Sequence, residues 1–192
     1  RHFVEATGYI TDGERTGSGI WISTLEKEPS PSYYGSQRIE KRVKLPGFSW
    51  RNPAFSHGES HPVVGISWND AQQFCIWLTD REAGAGRVPA GYLYRLPTEA
   101  QWEFAATTGG KPDPENADEF AWFRSNSGGS PHPVGTKRAN AWGLHDMQGN
   151  AWEWVLDWYG RYPGGSVMDY EGPASANMPR EIIRPHRSKR GG

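Results

Sequence analysis

The sequence is poor in what most often advertises a function. It has one cysteine, Cys75, in 192 residues, which excludes an internal disulfide, a CxxC redox pair and a zinc finger. No apolar run approaches the length of a bilayer span, and no secretory leader is visible, so nothing argues for a membrane span. Charge of one sign is also missing: 21 basic and 22 acidic residues leave a net charge of −1. There is then no global field to recruit nucleic acid, and no nucleic-acid partner is expected. No HExxH zinc pattern, no GxSxG nucleophile elbow and no phosphate-binding glycine loop occurs.

What is present is aromatic. Ten Trp, eight Tyr and seven Phe stand in a chain whose mean hydropathy is only −0.77. Disordered chains of such polarity are poor in aromatics, so the composition predicts a folded domain stabilised by large flat side chains. With 24 Gly and 15 Pro the domain should be rich in loops. The length suits a single domain over residues 1–192.

Local patterns predict the elements. His2 to Gly8 reads as the end of a helix stopped by Gly8. Ile20-Trp21-Ile22 is a short β-prone run, and Glu26 to Gly47, with charges, prolines and tyrosines in no clear period, is expected to be irregular. Pro62 to Ile66 predicts a short buried strand. Ser67 and Asp70 then form a capping box, and Ala71, Phe74, Cys75 and Leu78 fall on one face of an amphipathic helix ending near Gly84. On that face Cys75 reads as a small buried hydrophobe rather than a nucleophile.

Thr98 and Gln101 cap a second helix, whose inward stripe is Trp102, Ala105 and Ala106 and whose stop is Gly109-Gly110. After Gly149 comes an extended strand. Trp152, Trp154 and Leu156 should share one side, with Ala151, Glu153 and Val155 on the other, and the strand should carry much of the aromatic core. Two capped helices beside short aromatic strands predict an α+β fold with long loops.

Several blocks then carry a family resemblance: His61-Pro62-Val63-Val64 through Trp68-Asn69-Asp70-Ala71, Tyr94-Arg95-Leu96-Pro97-Thr98-Glu99-Ala100-Gln101-Trp102-Glu103, Pro133-Val134-Gly135, Asn140-Ala141-Trp142-Gly143-Leu144, and Gly149-Asn150-Ala151-Trp152-Glu153-Trp154. In this order they resemble the formylglycine-generating, or sulfatase-modifying-factor, family, best matched over residues 61–160. Phe3 to Asp12 is also similar to the family, and Arg190-Gly191-Gly192 resembles the start of its Arg-Gly-Gly-Ser strand. The resemblance implies a fold related to C-type-lectin-like domains, with two helices, a small twisted antiparallel sheet and much irregular loop, and with family segments expected before Arg1 and after Gly192. It further implies a copper- and oxygen-dependent oxidase that converts a cysteine of a sulfatase-like protein or peptide substrate to formylglycine. That chemistry uses two cysteines beyond the Arg-Gly-Gly-Ser strand, so copper is expected only if a following segment carries them, and no catalytic residue is assigned within these 192.

The best chemical constellation is Asp146, Gly149, Ala151 and Glu153. Two carboxylates and two backbone carbonyls around a glycine turn are the hard oxygen donors that Ca²⁺ favours. The resemblance implies a structural calcium at these positions, with Asn at the place of Asp146. The competing reading is a hydrogen-bonded turn in which Glu153 pairs with an Arg. Ala121-Trp122-Phe123 lacks the Asn of a second calcium site known in some members, so one site is expected.

Iron-dependent sulfoxide synthases share this kind of domain. His57 and His61 have three residues between them, but Val63 stands where their iron pattern needs Glu, so surface histidines are expected. Two rivals to the oxidase therefore stand beside it: a non-catalytic ligand- or protein-binding module on the lectin-like scaffold, and an accessory domain of a sulfoxide synthase or a kinase.

Overall fold

The computed structural model describes residues 1–29, 36–107, 117–160, 164–165, 170–173 and 187–192. They divide into two compact units: Arg1–Ser56 with Val63–Asp70, and His57–Pro62 with Ala71–Gly192. Gly109 and Gly110, the predicted stop of the second helix, lie outside the described residues.

The first unit begins with helix α1, His2–Thr7, closed by Gly8 in the left-handed conformation, with its N–H donating to the Val4 carbonyl. Helix α2, Asp12–Arg15, is one turn long and owes its start to a full capping box between Thr11 and Glu14. Strands β1, Ile20–Pro29, and β2, Ser36–Leu45, form an antiparallel ribbon in which Ile20 faces Leu45 and Glu26 faces Ile39. This corrects the irregular segment expected from Glu26 to Gly47. Alternation of apolar and polar residues marks a strand only when one face of it is buried. Here Ile39, Val43 and Leu45 are the only trace of a period of two in β2.

The predicted strand at Pro62–Ile66 is also absent. Val63 is 59% exposed, and Gly65 takes φ 72°, which breaks an extended run. The Gly65 carbonyl packs so closely on Gly13 and Gly19 that a side chain at either of those positions would collide with it.

Asp70 ties this unit together. One carboxylate oxygen accepts from the Tyr9 hydroxyl at 2.9 Å and the Asp12 N–H at 3.0 Å. The other accepts from the Ser67 N–H at 2.7 Å, while the Ser67 hydroxyl accepts from the Asp70 N–H at 3.1 Å. The predicted capping box is thus formed, and its acid also gathers the Tyr9–Asp12 segment. Burial and the Asp70 carboxylate push the Tyr9 phenol up to about 12.

Helix α3, Trp68–Gly84, starts at that box. In the second unit Ala71 and Cys75 are buried on it, but Phe74 is 43% exposed, so the predicted inward stripe is narrower than expected. Helix α4, Glu99–Thr107, has the predicted cap: Thr98 and Gln101 exchange hydrogen bonds of 3.0 and 3.1 Å. A single turn, α5, spans Ala117–Phe120. Strand β3, Trp152–Trp158, pairs antiparallel with β4, Arg187–Gly191, placing Glu153 opposite Arg190 and Trp154 opposite Lys189. The chain is therefore α+β, with two small antiparallel sheets among the described residues.

The core of this unit is Trp102, Ala106 and Val155, with Met147 against it. The alternation along β3 is as expected, but its buried side is not that of the tryptophans. Val155 and Asp157 are buried while Trp152 is 63% exposed. The reason is polar: Asp157 and Glu153 face α4 because they accept hydrogen bonds from it, and their parity carries the tryptophans outward. There Trp154 and Trp158 lie under the Lys189 and Arg187 cations at 4.8 and 3.9 Å.

Two outcomes are expected. Burial raises the Cys75 thiol above its ordinary value, so a thiol reagent should label it only on denaturation, and Cys75→Ala should cost about 1 kcal/mol. Fast native labelling would refute its place on α3. For Glu14, burial pushes the carboxyl up, but hydrogen bonds from Thr11 and Arg51 outweigh it and hold the group at about 2, below its ordinary 4.5. The folded state thus binds the ionised form. Its stabilising contribution is complete above pH 4.5 and is lost as pH falls towards 2. In melts across that window the gap in Tm between wild type and Glu14→Gln should close as the pH drops.

Candidate functional site

The site grows from the joint between α4 and β3. A helix leaves its first N–H groups without partners, and here strand β3 supplies one of them. The Asp157 carboxylate, 2% exposed, accepts from the Glu99 N–H at 2.6 Å. The Leu156 N–H donates to the Pro97 carbonyl at 2.8 Å, and the Arg190 guanidinium reaches Glu103 at 2.8 Å and Glu99 at 3.5 Å. At the other end of α4, Asn140 donates to the Ala105 carbonyl at 2.8 Å and accepts from the Trp142 and Leu144 N–H groups. This loop delivers the chain to Asp146.

Asp146 stands at φ 58° and is buried. Its Oδ2 accepts from the Gly135 N–H at 2.8 Å, whereas its Oδ1 is buried with no hydrogen-bond partner. Three residues on, Gly149 packs so closely on Trp122 that a Cβ would run into the Trp122 backbone. Asn150 follows at φ 67°, its N–H donating to the Trp122 carbonyl at 3.0 Å. The Ala151 N–H returns to the Gly149 carbonyl at 2.8 Å, which makes residues 149–151 a γ-turn of positive φ.

Glu153 points into the same region. Its Oε2 accepts from the Trp102 indole N–H at 2.8 Å. Burial pushes its carboxyl up, the indole N–H pulls it down, and the negative charge of Asp146 pushes it up again, with a net rise. The fold therefore brings Asp146 and Glu153 within electrostatic reach and leaves one carboxylate oxygen orphaned. An unpartnered buried carboxylate oxygen costs on the order of 1–3 kcal/mol or more, and a cation beside it would offset that cost. Arg190, the cation opposite Glu153 in the sheet, is directed to Glu99 and Glu103.

The other sequence candidates sit elsewhere. The His61 ring accepts from the Gly58 N–H at 3.0 Å and closes a loop, and His57 is exposed. Among the described residues no three His, Cys, Asp or Glu side chains gather as a metal group. The calcium set expected from the sequence has two carboxylates, its other two donors being backbone carbonyls. Sequence reasoning missed Gly135, Trp102 and Asn150 as members of the site. In the sequence Trp102 stands only as part of an apolar stripe, although a buried indole N–H usually finds an acceptor. A Gly-Asn pair entering a strand signals a positive-φ turn, and that could have found Asn150.

The family model described as "Sulfatase-modifying factor enzyme 1-like domain" matches residues 1–192. The "Formylglycine-generating enzyme" of Streptomyces coelicolor is 32% identical over 204 residues, which cover 90% of this chain and 59% of that protein. The mouse protein of the same name is 30% identical, over 82% of this chain and 45% of its own length. The mouse "Inactive C-alpha-formylglycine-generating enzyme 2" is 31% identical, over 88% and 56%. The chain thus spans about half the length of the curated relatives it matches.

The α4–β3 joint makes a direct prediction. Asp157→Ala should cost about 1–3 kcal/mol in urea unfolding by stranding the Glu99 N–H, and Asp157→Asn, which keeps an acceptor, should recover most of it. Equal losses in both variants would assign the effect to charge instead.

Proposed function

The chain belongs to the sulfatase-modifying-factor family, and from that premise we propose that it is a calcium-stabilised scaffold of a formylglycine-generating protein. The observation that carries the calcium reading is the buried, unpartnered Oδ1 of Asp146 beside the raised Glu153 carboxyl. The residues fit the ion. Asp146 and Glu153 would supply carboxylate oxygens, and Gly149 and Ala151 backbone carbonyls, all hard donors. Bound calcium would neutralise the two acids and act on folding, since Asp146 precedes the turn and Glu153 lies on β3, whose Val155 is in the core.

The residues do not fit copper. A thiolate pair suits that metal, and Cys75 is the only cysteine of the chain, buried on α3 with its thiol raised by burial. The oxidase reading, in which a sulfatase cysteine becomes formylglycine, accordingly depends on two cysteines from outside these 192 residues. The names of the Streptomyces and mouse relatives support it. The inactive mouse relative supports a second reading, a binding module on the same scaffold without catalysis.

One assay addresses the chemistry. Incubated with Cu(I), dioxygen and a Cys-x-Pro-x-Arg peptide, the 192-residue chain should yield no formylglycine by mass spectrometry. Its appearance would overturn the assignment of the reaction to other cysteines. In a protein that contains this chain and two further cysteines, product is expected on the oxidase reading, and its absence favours the binding module.

A second assay addresses the metal. Binding only to the native state stabilises it by about 2.7 kcal/mol at a hundredfold excess over Kd. EGTA should therefore lower Tm by several degrees, Mg²⁺ should restore it poorly, and Asp146→Ala or Glu153→Gln should abolish the difference. An unchanged melt on chelation, with Glu153→Gln still destabilising, would reduce Glu153 to the acceptor of Trp102.

A further inference from the structure

Two of the four groups assigned to calcium are backbone carbonyls, and both belong to residues adjoining Asn150. A carbonyl has no side chain to aim it, so its direction is set by the backbone that carries it. That backbone is the γ-turn at φ 67°, a conformation in which a residue with a Cβ is strained. Something must hold it.

The holding contacts all converge on Asn150. Its Oδ1 accepts from the His132 N–H at 2.8 Å, and its Nδ2 donates to the His132 carbonyl at 3.1 Å. The side-chain amide thus pairs with one residue's backbone as a neighbouring strand would. Its own N–H donates to the Trp122 carbonyl at 3.0 Å. The two segments it grips are themselves locked: the His132 ring stacks on the Trp122 indole at 3.7 Å and 11°, and its Nε2 lies 2.9 Å from the Ser127 carbonyl.

We propose that Asn150 is the positioning residue of the metal site. Its amide pairing with His132 holds the strained turn in which the Gly149 and Ala151 carbonyls are presented together with Asp146 and Glu153. The assignment rests on the calcium reading above and adds to it a residue that contributes no ligand atom. Partners of this kind govern metal affinity as much as the ligands do, by fixing the ligands' orientation.

The test separates aim from mere backbone tolerance. Asn150→Gly removes the amide but accepts positive φ without strain. Calcium affinity is measured by isothermal titration calorimetry, and Tm is measured in CaCl₂ and in EGTA. Asn150→Gly should bind calcium at least tenfold more weakly than wild type. Affinity within twofold of wild type would overturn the proposal, since the position would then need only a residue that adopts the turn. A wild type that binds no calcium would instead sink the underlying calcium reading. Should Asn150→Gly fail to fold, hydrogen exchange of the wild-type His132 amide carries the same test. On addition of calcium that exchange should slow by tenfold or more beyond any slowing of the α4 amides, and an unchanged difference would overturn the proposal.

Discussion

Everything in the larger unit hangs on one polar joint, the acceptance of an α4 backbone amide by a carboxylate on β3. The Asp157 carboxylate meets the Glu99 N–H at the point where the helix has donors to spare. Because side chains alternate along a strand, this choice puts Glu153 on the same side as Asp157, where it meets the Trp102 indole. The small apolar core of Trp102, Ala106 and Val155 fills the space between. Burial raises the Asp157 carboxyl and the Glu99 N–H offsets part of that rise. The joint is thus a charge held out of water by the helix it anchors.

The first unit uses the same device. Asp70 completes a capping box with Ser67 and also collects Tyr9 and Asp12. In a chain with few aliphatic residues, buried carboxylates that accept from backbone and side-chain donors do much of what a larger apolar core does elsewhere. Among the described residues, one buried carboxylate oxygen has no hydrogen-bond partner: Asp146 has Oδ2 on the Gly135 N–H, and Oδ1 accepts from nothing. The proposed metal site rests on that oxygen.

Function separates from fold at this point. The proposed calcium set lies within this chain, and its one cysteine, Cys75, is buried in α3. On the proposed reading the metal acts on stability and not on catalysis.

What the sequence by itself determined was local. Both long helices, their capping boxes, the Gly8 stop and the α+β class follow from side chains that hydrogen-bond three residues away or from a glycine that alone tolerates φ 66°. That Asp146 and Glu153 approach one another was legible too, because a turn brings near neighbours together. Only tertiary structure decided which side of β3 is buried, since alternation gives two faces and not their direction. Pairing between distant segments settled it: residues 58 and 51 positions apart, Glu99 with Asp157 and Trp102 with Glu153, turned the acids inward and the tryptophans outward. The β1–β2 ribbon was hidden because cross-strand backbone bonds leave no period in the sequence unless a face is buried. Asn150 was hidden for a related reason. Its role depends on His132, eighteen residues earlier, and a side chain's long-range partner is written in no spacing.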